Sequence, residues 1–308
     1  VRQSNARPRV DGVTAWRRIR VMTLLVLTAC ASSPTGVDPL PLGASAVVLD
    51  IAFCGGAHPL QRFDLYYPAR PRGDLPLALH IHGGGWHRGD KAEGPIFTSI
   101  GAALIERGYV VASTNYRLAP ASRWPAPIED VACAVRHLRE NAVRYGIDPQ
   151  RFGVWGNSSG GHLAAILGLT DEFSGAGIST GVQAVVALYG IHDLTASDTP
   201  VPTALAIAGA FGRQPSAGDP LLVSASPVSH VTPDDPPFFL IHGREDVIVL
   251  PNQSERLFAR LGEAGVPAQL LLVDHAGHEL IALGEPIEPP LEAIVDAVTT
   301  FFDARLGQ

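Results

Sequence analysis

The chain has 308 residues, a formal charge of -7, and 46% hydrophobic against 17% charged residues. That balance suits a folded globular protein able to bury a sizeable core. It carries no basic tract outside its first twenty residues, so no nucleic-acid partner is expected, and no run of eighteen apolar residues, so no membrane-spanning helix is expected.

In chain order the first feature is an export pattern. Arg2, Arg7, Arg9, Arg17, Arg18 and Arg20 precede a short apolar stretch from Val21 to Ala29. The segment ends Leu27-Thr28-Ala29-Cys30, which resembles a bacterial lipoprotein box. On that reading residues 1–29 are a signal peptide, and Cys30 is lipidated, becomes the mature N-terminus and attaches the protein to a membrane. A plain secretory signal fits the same charges. The expected destination is periplasmic, membrane-anchored or secreted. Residues 30–44 read as a linker that opens on a flexible Ser-Ser-Pro-Thr-Gly tract. Loss of residues 1–29 removes six Arg and one Asp and leaves a charge of -12, which discourages polyanionic partners. An oxidising compartment permits a Cys54–Cys133 bridge, but two unpaired buried thiols are the expectation. No Cys-x-x-Cys pair or zinc spacing occurs, and neither metal nor cofactor is expected.

Apolar, β-branched runs predict strands at 46–53, 62–67, 75–81, 109–116, 151–155, 182–189, 237–241 and 268–273. Helical patterns alternate with them from the third strand onward, at 97–107, 128–145, 159–169, 252–264 and 291–306. The helix at 128–145 places Val131, Val135, Leu138 and Val143 on one face and stops at Gly146. The first two strands read as an antiparallel hairpin. The rest reads as βαβ units, giving an α/β domain over 45–308 with a mostly parallel central sheet and helices on both faces. Residues 193–235 break the alternation with a small-residue helix at 203–211, and are expected to form a small cap insertion.

The chemistry centres on Gly156-Asn157-Ser158-Ser159-Gly160-Gly161, directly after a strand. G-x-S-x-G is a strand-to-helix elbow that lifts one serine clear of the backbone. A serine hydroxyl needs a base, and the base needs an orienting carboxylate. Asp246 and His278 follow the next two late strands, 88 and then 32 residues further on. All three therefore fall at the edge where parallel strands end and their loops converge. Ser158 is the candidate nucleophile, His278 the base and Asp246 the acid. His82-Gly83-Gly84-Gly85-Trp86 follows an earlier strand. The amides of Gly83 and Gly84, with that of Ser159, are candidate donors to an oxyanion, and Trp86 is a candidate substrate contact. Rival assignments are Ser159 as nucleophile, Glu245 as acid and His275 as base. His80 and His82 form an H-x-H pair without a matching carboxylate cluster. Arg117 reads equally as a brace for the oxyanion loop or as an ordinary surface arginine.

These motifs, together with Gly89-Asp90-Lys91, Asn115-Tyr116-Arg117-Leu118-Ala119-Pro120 and Ile241-His242-Gly243, resemble the α/β-hydrolase superfamily. Within it they are similar to the hormone-sensitive-lipase-like and bacterial carboxylesterase or feruloyl-esterase-like group. The resemblance runs from about Leu40 to the C-terminus. It departs from the group at Asn157, where an acidic residue is usual, and at Ser159, where alanine is usual. It implies a cofactor-free acyl-enzyme mechanism on a small-molecule ester with a short acyl or small aromatic group. Aryl-formamide or carbohydrate-acetate hydrolysis on the same three residues is the alternative, and a non-catalytic ligand-binding relative is the reading from another class. Oligomeric state is left open.

Overall fold

The computed structural model describes residues 41–69, 73–92, 94–175 and 177–307. All eight expected strands are present, in the order β1-β2-β4-β3-β5-β6-β7-β8. β1 (Ala46–Ala52) pairs antiparallel with β2 (Arg62–Tyr67), and β2 pairs antiparallel with β4 (Val110–Thr114). From β4 onward neighbours are parallel: β3 (Leu75–Ile81), β5 (Ile147–Asn157), β6 (Ala184–Leu188), β7 (Phe238–Gly243) and β8 (Ala268–Val273). β3, β4, β6 and β7 are buried along their whole length, because helices cover both faces. Edge strand β1 is instead exposed along most of its length, with only Val47 and Ile51 half-buried. The chain leaves β3 for β4 on one side and crosses to β5 on the other. The loops after β3 and β5 therefore open a crevice between adjacent strand ends, where ligands of such sheets bind.

Two cores follow from this layering. On one face, α2 (Ala126–Glu140), α4 (Ser159–Leu169) and α7 (Asn252–Ala264) bury Val131, Leu163 and Leu257. On the other, α1 (Pro95–Glu106) and α8 (Leu291–Leu306) bury Leu104 and Phe302. Each such side chain contributes roughly 1.5–3 kcal/mol on leaving water.

The structure corrects several expectations. The helix at 128–145 is broken at Asn141, so α2 ends at Glu140 and a single turn, α3 (Ala142–Tyr145), follows. The break rotates Val143 outward, where it is 94% exposed. Gly146 ends that turn in the left-handed conformation, φ 62°, as a stop glycine should. Leu42 and Ala44 are buried in the α1 and α8 core, with Leu42 seated against Gly101, so the body of the domain begins before the expected linker ends. The segment expected as a signal peptide, residues 1–29, and Cys30 lie outside the described residues. Cys54 and Cys133, expected as free thiols, are joined in a disulfide between the turn after β1 and α2, with Cα atoms 5.9 Å apart. Sequence spacing cannot show that the sheet brings two segments 79 residues apart into reach.

Within 193–235 the chain forms α5 (Val201–Phe211) and the short α6 (Pro220–Ser224), the latter capped by Asp219. α5 sits on the loop after β3. The His87 ring meets the Ala206 carbonyl through Nε2 at 3.1 Å, and the Trp124 amide donates to the Ala210 carbonyl at 2.9 Å.

Candidate active site

Ser158 stands between β5 and α4 with φ 54° and ψ -120°, a conformation that non-glycine residues adopt only under constraint. The constraint comes from the glycines around it. A β-carbon on Gly160 would run into the carbonyls of Ile81 and His82, and one on Gly156 would meet the backbone of Gly160. With neither present, the elbow closes against β3, and the Ser158 amide donates to the Leu188 carbonyl at 2.9 Å. The Ser158 side chain is left at the crevice, in a residue 9% exposed.

The loops after β7 and β8 bring Asp246 and His278 to the same point. His278 Nε2 lies 3.1 Å from Ser158 Oγ, and His278 Nδ1 lies 2.6 Å from Asp246 Oδ2. A carboxylate only accepts, so Nδ1 carries the proton, and the Nε2 lone pair faces the serine hydroxyl. Asp246 is buried, which by itself would raise its pKa. Hydrogen bonds from His242 and His278, the attraction of the His278 ring when it is protonated and the Val249 amide outweigh burial and hold the carboxyl well below its usual range. Its other oxygen, Oδ1, accepts from the amides of Ile248 at 2.8 Å and Val249 at 2.9 Å.

The loop after β3 completes the surroundings. A β-carbon built on Gly83 would sit 3.4 Å from the Ser158 β-carbon, so this backbone borders Ser158 directly. Neither the Gly83 nor the Gly84 amide donates to another described residue. Gly84 has φ 110°, open to glycine and strained for other residues. His82 fixes the near end: its ring stacks on Tyr116 at 4.3 Å, and Nδ1 meets the Gly83 carbonyl at 2.7 Å. Burial pushes this imidazole down to about 4 and keeps it neutral. Lys91 fixes the far end. Its amide donates to Asn115 Oδ1 at 2.7 Å, its carbonyl accepts from Ser113 Oγ at 2.6 Å, and its ammonium pairs with Asp50 at 3.0 Å and buried Asp64 at 3.1 Å. A cavity of about 190 Å³ opens beside the glycines, lined by Arg88, Asp90, Asn157 and Glu279. A larger opening of about 860 Å³ lies at the other end of the strands, around Gln183 and Pro237, away from Ser158.

The rival residues go elsewhere. Ser159 is fully buried at the start of α4. Glu245 accepts the Ala276 amide at 3.0 Å, and His275 faces Glu285 at 3.6 Å. His80 is held by Ser113 Oγ at 2.8 Å and Asn157 Oδ1 at 3.3 Å. Among the described residues no group of three His, Cys, Asp or Glu side chains converges as a metal site would require. Arg117 pairs with Asp130 at 2.8 Å and Glu129 at 3.2 Å, bracing α2 and not the loop after β3. Trp86 is corrected from substrate contact to packing. It is 1% exposed, edge-on to His162 and Phe211 at 5.2 Å each, because α5 covers it. Sequence reasoning missed His242, whose Nε2 lies 3.3 Å from Asp246 Oδ2. Its four-residue spacing from the acid was the available signal.

Residues 63–261 match the BD-FAE family. Esterase LipQ of Mycobacterium tuberculosis is 31% identical over 243 residues, 75% of this chain and 57% of that protein. The probable carboxylic ester hydrolase LipM of the same organism is 34% identical, over 66% of this chain and 50% of that one. The chain spans about half the length of the curated relatives it matches. Among solved structures, a truncated carbohydrate esterase from gut microbiota superposes with a TM-score of 0.77 at 28% identity, covering 88% of this chain and 99% of that one.

Proposed function

The chain belongs to the BD-FAE family and has the α/β-hydrolase fold, and from that premise we propose that it is a serine carboxylesterase. The observation that carries the reading is the line of contacts from Ser158 Oγ to His278 at 3.1 Å and from His278 to Asp246 at 2.6 Å. Ser158 Oγ attacks the acyl carbon while His278 Nε2 takes its proton. The oxygen of the tetrahedral intermediate becomes negative where the amides of Gly83, Gly84 and Ser159 can donate, a stabilisation worth roughly 10²–10³ in rate per donor. The imidazolium, held by Asp246, gives its proton to the leaving alcohol. Water, activated by the same imidazole, then releases the acid and restores the hydroxyl.

A fluorophosphonate probe and a p-nitrophenyl ester series test this. Ser158 should become labelled, and acetate and butyrate esters should turn over. A folded sample that does neither would favour a ligand-binding protein. The polar lining of Arg88, Asp90, Asn157 and Glu279 supports a second reading of the substrate, an acylated carbohydrate. Faster release of acetate from an acetylated sugar than from p-nitrophenyl acetate would establish it. Residues 193–235 are proposed as the cap, since α5 rests on the loop that carries Gly83 and Gly84.

Export is part of the same proposal. The Cys54–Cys133 disulfide supports an oxidising destination. Anchoring through Cys30 predicts metabolic labelling with palmitate that is abolished in Cys30→Ser. Equal labelling of the variant would remove the anchor.

A further inference from the structure

We propose that His242 is a positioning residue for the acid: fixed by Val249 and Ser254, it donates to Asp246 Oδ2 and aims that oxygen at His278 Nδ1. His242 is fully buried at the end of β7. Its Nε2 lies 2.8 Å from the Val249 carbonyl, which can only accept, so the ring proton is on Nε2. The same nitrogen lies 3.3 Å from Asp246 Oδ2, so its one proton is shared between the nearer Val249 carbonyl and the carboxylate. Nδ1, left as an acceptor, lies 2.8 Å from Ser254 Oγ, whose hydroxyl donates to it. Ser254 is itself fully buried in α7. The ring is therefore gripped at both nitrogens by groups from two different elements, and its orientation is determined.

The Asp246 carboxylate gains from this. The amides of Ile248 and Val249 occupy Oδ1, while His242 and His278 share Oδ2. Without His242 the carboxylate keeps three donors, two of them on the far oxygen, and can rotate about its last bond away from His278. Val249 links the two effects. Its amide donates to Oδ1 and its carbonyl accepts from His242, so one peptide segment sets both the carboxylate and the ring that steadies it. The inference rests on the esterase reading, but the contact it describes can be measured without any ester.

The test compares the full chain with His242→Gln, His242→Leu and Ser254→Ala. Glutamine can place an N–H near the Nε2 position, and leucine cannot. Three readouts are taken: thermal unfolding as a folding control, kcat and KM on p-nitrophenyl butyrate, and the low-field proton resonance of His278 Nδ1–H without substrate. In His242→Leu kcat should fall about 10- to 100-fold with KM within twofold, since a small misplacement in a catalytic array costs on that order. The low-field resonance should move or broaden. His242→Gln should recover most of kcat and return the resonance towards its wild-type position. Should His242→Leu fail to fold, Ser254→Ala carries the test, with a several-fold loss in kcat, unchanged KM and a displaced resonance. A folded His242→Leu, or in its absence Ser254→Ala, with wild-type kcat and an unmoved resonance overturns the proposal. So does a folded His242→Gln as impaired as His242→Leu. A wild-type protein that neither turns over esters nor takes the fluorophosphonate defeats the esterase reading instead, and the resonance still reports on His242.

Discussion

Gly83 and Asn157 touch so closely that a β-carbon on the glycine would lie 2.7 Å from the Asn157 side-chain nitrogen and 2.9 Å from its carbonyl oxygen. The loop after β3 is thereby registered against the elbow after β5. Gly83→Ala should push that loop away from Ser158. The expected result is a fall in kcat of about 10²–10³, the usual cost of losing one oxyanion donor, with little change in KM. Steady-state kinetics on p-nitrophenyl butyrate decide it, and a variant with kcat within threefold of wild type would show that the register does not matter.

Asp246→Asn retains the shape of the acid and reverses its chemistry. Oδ1 accepts two backbone amides, so the asparagine oxygen takes that side and its NH₂ turns towards His278. The imidazole must then place its proton on Nε2, facing Ser158, where it cannot act as a base. A loss in kcat of about 10⁴ is expected. A kcat within tenfold of wild type would remove Asp246 from the mechanism.

Stability should fall in mild acid. Burial, with neighbouring histidines adding to it at His80, His162 and His192, holds His80 at about 3, His82 and His162 at about 4, and His192 well below the usual imidazole value of 6.5. Between about pH 4 and 6.5 the unfolded chain binds protons that the folded chain does not. Stability is then complete above 6.5 and declines as pH falls towards the folded values. Urea unfolding between pH 5 and 6 should show an uptake of two or more protons, about 3 kcal/mol per pH unit. An uptake below one proton would mean that these rings are already charged in the folded protein, or still buried in the unfolded chain.

The Cys54–Cys133 bridge closes a loop of 79 residues. Chain entropy alone gives such a closure about 4.5 kcal/mol, an upper figure because engineered bridges often return less. Cys133→Ser, or reduction under native conditions, should lower the unfolding midpoint while leaving KM unchanged, since neither cysteine touches the site. Identical midpoints with and without reductant would show that the bridge contributes nothing.

The legible features were those that leave a local trace. Gly156 and Gly160 marked the elbow because only glycine lets β3, β5 and α4 meet there. Ser158, Asp246 and His278 could be placed at one sheet edge because each follows a parallel strand, and the strands themselves were visible as apolar runs. Trp86 misled because an aromatic side chain beside a glycine loop looks like a substrate contact until α5 is known to cover it. His242 left only a four-residue spacing from Asp246, which does not say where its ring turns.

The amino-acid sequence by itself determined the alternation of strand and helix, the sharp turn at Ser158 and the chain order of Ser158, Asp246 and His278. Backbone conformation and periodic burial are written within a few residues of where they act. Only the tertiary structure decided that Cys54 meets Cys133, that Val143 turns to solvent, that Leu42 joins the core, and that Ser254 and Val249 grip His242 beneath Asp246. Those outcomes depend on strand order, a one-residue helix break and loop packing, which set the meeting of side chains that local pattern leaves free.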